Sequence, residues 1–276
     1  MQGSGAAAEV QRLLEGGDLA QAREFLVSNV QREDSPWIRW LLFEVHALRG
    51  AWEAAQAQAA ALAVMDSSRA EVYERYGRLA ALMVHREAVW RGEQAPQSRD
   101  PGWLLWEQRS PFLRKLQAGE LEALRDLRDL DRQAPAAGPG NFDEDPFSQC
   151  SDRDGRFAFG LEAFIEDAYC WLRWDEIARI QLAGTGLKPR DLVWLPVMLT
   201  LRKGGMQQAF LPARYPGSEA GSEPRLLLGR EVVFQKAPGG EIGKGTHLLK
   251  CASGEAAREV PLTGFRVMDL SPEGSK

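Results

Sequence analysis

The sequence predicts an α+β protein with two domains: an N-terminal TPR-like helical-repeat domain, then a small C-terminal β-rich, barrel-like domain. Apolar residues recur every three or four positions through residues 5–132, which is typical of amphipathic helices. A Pro- and Gly-rich stretch then interrupts this periodicity, and after residue 156 apolar residues fall in short segments separated by turn residues. We expect the helical domain at 1–134, a linker at 135–151 and the β-rich domain at 152–276.

Composition narrows the classes of function. The chain has 276 residues, about twice the usual domain size, and a formal net charge of −5. This acidic balance argues against broad contact with nucleic acid or anionic lipid. The sequence has no run of about 18 apolar residues that could span a bilayer, and its first residues do not resemble a secretory leader. We therefore expect a cytoplasmic protein with no nucleic-acid or membrane partner.

Residues that commonly bind metals or act as nucleophiles are few. The chain has three cysteines and three histidines, and none of them shows the spacing of metal ligands. We predict no metal site, no cofactor and no catalytic residues, with free thiols in a reducing compartment. The residues concerned are Cys150, Cys170, Cys251, His46, His85 and His247.

A short pattern recurs in the helical half. Gly17, Gly50 and Gly119 each end a helix-like stretch and precede a large apolar residue by two positions. The first two glycines are 33 positions apart and the last two 69 apart, about one and two periods of the 34-residue tetratricopeptide repeat. The intermediate repeat lacks its glycine, which favours one long helix over 71–91. A plain helical bundle remains the alternative.

One helix of this half carries candidate partner-binding residues. Ser35 and Pro36 are typical of a helix start, because Ser can cap the helix and Pro suits its first position. The face that follows is apolar, including Trp37 and Trp40, and only Glu44 interrupts it. Helical repeats offer concave surfaces to partner helices, so these three residues are candidate contacts. Packing between helices is the alternative interpretation.

The second half is predicted to form six to eight short strands in a small barrel or sandwich. Glu162 and Glu166 are expected to be solvated on its surface. The Gly-rich run 239–246 lacks the Ser or Thr that a phosphate-binding loop needs after Lys244, so we interpret it as a hairpin loop. The predicted strands are 156–165, 168–174, 178–182, 192–201, 208–211, 226–235, 246–250 and 265–270, with one helical turn at 175–177.

Three short runs in this half, in this order, resemble a known family. They are Asp-Leu-Val-Trp-Leu-Pro at 191–196, Gly-Gly at 204–205, and Pro-Ala-Arg-Tyr-Pro-Gly-Ser-Glu at 212–219. With the segment around Glu162, they resemble the ImpE (SciE, TagJ) family of type VI secretion accessory proteins, most strongly over about 152–219. The chain departs from the family pattern at Cys170, where Tyr is usual, and in the more basic loop before Gly204.

The resemblance implies a non-catalytic, cytoplasmic adaptor. Proteins of this family bind the N-terminal helix of the small contractile-sheath subunit, TssB, and are linked to sheath handling by the ATPase ClpV. The candidate partner-binding residues in the family motifs are Asp191, Trp194, Lys203, Gly204, Gly205, Arg214, Tyr215, Pro216, Gly217, Ser218 and Glu219.

The residues of the last motif have a physical interpretation of their own. Pro216 and Gly217 predict a tight turn, across which Arg214 and Glu219 can form an ion pair. Tyr215 can pack its ring on the β-rich domain and keep its hydroxyl for a backbone partner. The motif is therefore either a structural loop or a partner contact. The alternative function is an enzyme or a small-ligand-binding module. It requires the polar side chains of the β-rich domain to converge in one pocket, namely Asp191, Arg214, Tyr215 and Glu219.

Overall fold

The computed structural model describes residues 2–99, 101–132, 136–183, 188–219, 223–254 and 256–270. Helices come first and antiparallel strands follow, so the predicted α+β class is confirmed. The predicted domain boundary at residue 134 lies outside the described residues. The helices are α1 Gln2–Gly16, α2 Leu19–Arg32, α3 Pro36–Leu48, α4 Trp52–Met65, α5 Ala70–Trp90, α6 Pro101–Leu104, α7 Trp106–Gln117, α8 Ala123–Leu130 and α9 Pro224–Leu227.

The local signals in the helical half act as the sequence predicts. Ser35 caps α3, where its hydroxyl accepts the N–H of Ile38 at 3.4 Å, and Pro36 occupies the first turn. Gly17 and Gly50 have φ of +82° and +70°, the left-handed conformation that ends a helix. Helices α1 to α5 then pack successively against one another. Helix α5 is the single long helix expected where the repeat glycine is missing.

The described residues of the β region form three antiparallel sheets. The largest has eight strands in the order β2-β1-β13-β6-β7-β8-β4-β5, and the others are β12-β11-β3 and the ribbon β10-β9. The strands are β1 Gly140–Phe142, β2 Asp145–Phe147, β3 Gln149–Asp152, β4 Gly160–Ile165, β5 Ala168–Arg173, β6 Ile177–Leu182, β7 Trp194–Leu201, β8 Gly205–Pro212, β9 Val232–Ala237, β10 Gly240–Gly245, β11 Leu248–Ser253, β12 Ala256–Pro261 and β13 Val267–Asp269.

Parts of this region differ from the sequence-based expectation. The segment expected to be a linker contains β1, β2 and most of β3, which pair with β13 and β11. These strands are short, and Pro146 lies in β2 at the end of the sheet, where proline is tolerated. The predicted strand 226–235 is instead α9 followed by β9. The Gly-rich run 239–246 forms β10 of a hairpin rather than a loop.

The helical and β regions share a hydrophobic core. One cluster of buried side chains lies within the β region, among strands such as β6 and β7. A second cluster joins helical residues such as Phe43 and Leu48 to Trp194 and Tyr215 of the β region. Separating the two regions would expose this second cluster to water, so we expect them to fold as one cooperative unit.

Candidate functional site

The turn of the last family motif faces inward. Tyr215 and Ser218 are fully buried, and Gly217, with φ of +80°, is exposed at the tip. The Ser218 hydroxyl donates to the Tyr215 carbonyl at 2.6 Å and accepts the N–H of Gly245 at 2.9 Å. Pro216 is also buried. The turn is therefore held by internal hydrogen bonds between the motif and β10.

Arg214 connects the motif to the helices. Its guanidinium donates to the carbonyls of Leu48 at 2.8 Å and Leu227 at 2.9 Å, and to Glu219 at 3.1 Å. Leu48 is the last residue of α3, so a buried cation satisfies a carbonyl at the negative end of that helix. Glycine is required at position 50 for two reasons. Its φ of +70° is left-handed, and a Cβ there would lie 2.6 Å from the Glu219 side chain. The expected Arg214–Glu219 pair is present.

Tyr215 and His247 bind two buried carboxylates. The Tyr215 hydroxyl donates to Asp152 at 2.7 Å and accepts the N–H of Leu248 at 2.9 Å. The His247 ring contacts Asp152 through Nδ1 at 2.8 Å and Glu162 through Nε2 at 3.2 Å. Burial alone would lower the pKa of His247, but the two carboxylates outweigh burial and raise it.

Glu162 is the centre of this cluster, and the expectation that it is a surface residue is wrong. Arg86 of α5 donates to it through Nε at 2.8 Å and Nη2 at 2.5 Å, and both side chains are about 1% exposed. Trp90 and Tyr169 also donate to this carboxylate. Burial would raise the pKa of Glu162, but the Arg86 guanidinium holds it at about 2. We call Arg86, Asp152, Glu162, His247, Arg214 and Tyr215 the buried polar network.

The remaining predicted motif residues near the helices are also buried. Trp194 is fully buried and stacks on Phe43 of α3, with ring centroids 5.9 Å apart. Glu44, which interrupts the apolar stripe of α3, accepts a hydrogen bond from Arg190 at 2.6 Å. The Arg190 guanidinium also lies 5.1 Å from the centre of the half-buried Trp40 ring. Asp191 accepts the N–H of Lys188 at 2.9 Å.

Apart from Gly217 at the tip of the motif turn, the predicted residues that remain exposed lie in two separate places. Lys203, Gly204 and Gly205 form the exposed turn between β7 and β8, and the Arg99 guanidinium donates to the Lys203 carbonyl. Trp37, at the start of α3, is 46% exposed. The structure does not bring the turn and this helix face into the buried polar network.

Trp37 is one of four exposed apolar side chains at the ends of three neighbouring helices. The others are Val64 and Met65 at the end of α4, and Val72 in the first turn of α5. The order of packing, α3 on α4 and α4 on α5, places these helix ends side by side. Val64 is 85% exposed, which is unusual for an aliphatic side chain inside a helix. We call Trp37, Val64, Met65 and Val72 the exposed apolar patch.

The residues on which the enzyme alternative depends form internal contacts. Arg214 binds Glu219, Tyr215 binds Asp152, and Asp191 binds a backbone N–H of its own turn, so they do not converge on one cavity. Within the described residues, no three His, Cys, Asp or Glu side chains are grouped to hold a metal ion. No helix in the described ranges combines the length and apolarity that crossing a membrane needs.

Comparison with known proteins decides the family. The ImpE protein family matches residues 144–261, which cover most of the β region and its motifs. TagJ of Pseudomonas aeruginosa, a type VI secretion system accessory component, is 30% identical over 268 residues, covering 95% of this chain and 91% of TagJ. The chain belongs to the ImpE/TagJ family. The family resemblance predicted from the motifs is therefore confirmed, and it extends through the helical half.

A solved structure supports the same fold for the whole chain. Protein VPA1032 from Vibrio parahaemolyticus superimposes with a TM-score of 0.84 at 16% identity, covering 96% of this chain and 98% of VPA1032. The ImpE/TagJ motifs at 191–196 and 212–219 can now be placed within this fold. They lie mainly at the junction between the helices and the β region, where Arg214 contacts the end of α3 and pairs with Thr246, between β10 and β11.

Sequence reasoning missed Arg86, Asp152, Arg190 and His247, which complete the buried contacts. Nothing in the local sequence around Arg86 indicates burial, since α5 carries many charged residues. One signal was present: Glu44 interrupts an otherwise apolar helix face, and a carboxylate in such a position needs a cation from elsewhere. Arg190 of the β region supplies that cation.

Proposed function

We propose that this protein is a non-catalytic accessory component of a bacterial type VI secretion system, acting in the cytoplasm. The proposal is that it binds the N-terminal helix of the small sheath subunit, TssB, and so modulates ClpV-dependent handling of the sheath. The observation that carries the proposal is the 30% sequence identity with TagJ, in an alignment that covers 95% of this chain.

The exposed apolar patch is our proposed docking surface for that helix. An amphipathic helix presents a row of apolar side chains at intervals of three and four residues. Such a row can pack against exposed apolar side chains that lie on adjacent helix ends. Burying several such side chains contributes about 1.5–3 kcal/mol each, less the cost of ordering the partner. The expected dissociation constant is therefore roughly micromolar.

The exposed turn at Lys203, Gly204 and Gly205 is the rival surface within the same function. It is exposed and belongs to a family motif, but it offers little apolar area apart from Met206, which is 68% exposed. Helix-in-groove recognition depends on apolar anchors. This difference favours the patch on α3, α4 and α5.

The test is calorimetric titration of a synthetic TssB N-terminal helix into the full chain. The full chain is needed because isolated regions would expose their shared core. Val64→Gln combined with Met65→Gln removes two patch side chains without introducing charge, and Val233→Gln on exposed β9 is the matched control.

We expect saturable binding by the native chain, a loss of about tenfold or more in the double variant, and no change in the control. Absence of binding by the native chain would overturn the proposed function. Equal binding by the native chain and the double variant would overturn the patch as the docking surface and transfer the proposal to the turn at 203–205.

A further inference from the structure

Two of the three cysteines lie directly opposite each other on neighbouring strands. Cys150 of β3 faces Cys251 of β11 in the antiparallel register, and both are free thiols. Residues that are opposite each other in an antiparallel pair direct their side chains to the same face of the sheet. Both side chains are fully buried in the hydrophobic cluster of the β region. The two thiols therefore share one apolar site that is closed to water.

The backbone hydrogen bonds show which kind of strand pair the two cysteines form. The N–H of Cys150 donates to the carbonyl of Ala137 at 2.6 Å, and the carbonyl of Cys150 accepts the N–H of Ala137 at 2.9 Å. Both groups therefore point away from β11, so Cys150 and Cys251 are a non-hydrogen-bonded pair. The Cα atoms of such a pair are about 4.5 Å apart, and disulfides span Cα separations of about 4.4–6.8 Å. The dithiol can thus become a disulfide with little movement of the backbone.

Cys170, the third cysteine, is placed differently. It lies on β5 of the eight-stranded sheet, opposite Ala163, and it is half-buried. Burial raises the pKa of its thiol to about 11. The residue opposite it has no thiol, and Cys150 and Cys251 belong to a different sheet. The fold therefore favours a single pairing, between Cys150 and Cys251.

The cysteine pair lies beside two residues of the buried polar network. Asp152 follows Cys150 by two positions on β3, and His247 directly precedes β11. Asp152 contacts His247 at 2.8 Å and accepts the Tyr215 hydroxyl at 2.7 Å. A covalent bond between β3 and β11 would therefore fix the two strands that bring Asp152 and His247 together.

We propose that Cys150 and Cys251 are a redox switch, which a disulfide oxidant such as oxidised glutathione converts into a cross-strand disulfide that locks β3 to β11. One cysteine thiolate attacks the glutathione disulfide and releases one glutathione. The second cysteine thiolate then attacks the mixed disulfide and releases the other glutathione. The two thiols lose two protons and two electrons, and oxidised glutathione gains them to become two reduced molecules. In a reducing compartment the dithiol is the resting form.

Local opening of β3 controls the rate of this reaction. The two thiols are closed to solvent, and their contact and burial raise the pKa of the Cys150 thiol, so the reactive thiolate is scarce in the closed structure. Strand β3 has four residues and lies at the edge of its three-stranded sheet. Such elements open at a lower free energy than the whole fold. Oxidation is therefore slow, and the switch responds to sustained exposure to an oxidant.

The test is incubation of the full-length protein to equilibrium in glutathione buffers of increasing oxidised fraction. Remaining thiols are alkylated, disulfides are located by peptide mass mapping without reduction, and the Tm of the oxidised and reduced forms is measured. Cys170→Ser is the matched control, because it removes a thiol but leaves the proposed pair intact. Cys251→Ala removes the pair.

We expect a disulfide between Cys150 and Cys251 in the native chain and in Cys170→Ser, a rise in Tm of roughly 5 °C or more on oxidation, and full reversal by dithiothreitol. Cys251→Ala should have the same Tm in oxidising and reducing buffers. The proposal is overturned if Cys150 and Cys251 remain reduced at equilibrium, or if disulfides to Cys170 are as abundant as the expected one. It is also overturned if oxidation leaves the Tm of the native chain unchanged or lower, or if Cys251→Ala shows the same rise.

Discussion

Replacing Arg86 with methionine tests whether the buried polar network holds the helices to the β region. The variant keeps the aliphatic bulk of the side chain but removes the cation that donates twice to Glu162. Glu162 would retain its contacts with Trp90, Tyr169 and His247, yet its charge would be left without its main counter-ion. A desolvated carboxylate in that state is destabilising.

The size of the effect follows from the network itself. The pKa of Glu162 is about 2, against an ordinary 4.5, which corresponds to roughly 3 kcal/mol of preferential stabilisation of the charged form. Breaking a buried ion pair by removing one partner typically costs about 3–5 kcal/mol. We therefore expect Arg86→Met to lower the free energy of unfolding by about 3–5 kcal/mol, and the Tm by roughly 10 °C.

The assay is chemical denaturation followed by circular dichroism for the helices and tryptophan fluorescence for the core. Arg78→Met is the matched control, because Arg78 lies on the same helix but forms exposed ion pairs, with Asp167 at 2.9 Å. The control should cost less than about 1 kcal/mol. The reasoning is refuted if Arg86→Met is no more destabilising than Arg78→Met, or if the two probes report separate transitions in the native chain.

Three further predictions concern other buried groups. His247→Asn should remove a stabilisation that is complete below the ordinary pKa of 6.5 and declines as pH rises through the raised folded-state pKa. Calorimetry from pH 6 to 9 should therefore show the difference in Tm between the native chain and the variant becoming smaller. A difference that grows with pH would contradict this. Trp194→Ala should lower the free energy of unfolding by about 3–5 kcal/mol, because it opens a cavity between α3 and the sheet. A loss of less than about 1 kcal/mol in chemical denaturation would contradict the shared core. Cys150 and Cys251 are free thiols that lie opposite each other on β3 and β11, and their contact and burial raise the pKa of the Cys150 thiol. A thiol reagent at pH 8 should modify these two only after unfolding, whereas the half-buried Cys170 serves as an internal comparison. Rapid modification of Cys150 or Cys251 in the native chain, located by peptide mapping, would argue against this packing.

Much of the helical half could be predicted because its signals are local. Ser35, Pro36 and the repeat glycines act within one or two turns of the residues they affect, so spacing alone predicts where α3 begins and where α1 and α3 end. The motif turn is local in the same sense. Pro216 and Gly217 predict its shape, and the pair between Arg214 and Glu219 spans only five positions.

The buried polar network could not be predicted because its contacts are distant in sequence. Arg86 and Glu162 are 76 positions apart, and Asp152 and His247 are 95 apart. A carboxylate such as Glu162 is usually solvated, and only the fold shows that a cation reaches it. Strands β1 to β3 were missed for a related reason, since Pro- and Gly-rich segments pair as strands only when partner strands are already in place.

The placement of the family motifs changes how they are interpreted. Nearly all of the residues from Arg214 to Ser218 are buried or held by internal hydrogen bonds, and Trp194 packs between α3 and the sheet. The structural interpretation of the motif therefore accounts for its residues without a partner. The candidate residues that are exposed lie in the exposed apolar patch, in the turn at 203–205 and at Gly217.

The central claim is that partner binding uses the exposed apolar patch while the motifs hold the fold together. Hydrogen–deuterium exchange of the full chain with and without the TssB N-terminal helix tests this claim most directly. We predict added protection at the start of α3, the end of α4 and the start of α5, with exchange in the turn at 203–205 and in residues 212–219 unchanged. Protection confined to that turn or to the motif, with α4 unaffected, would contradict the account.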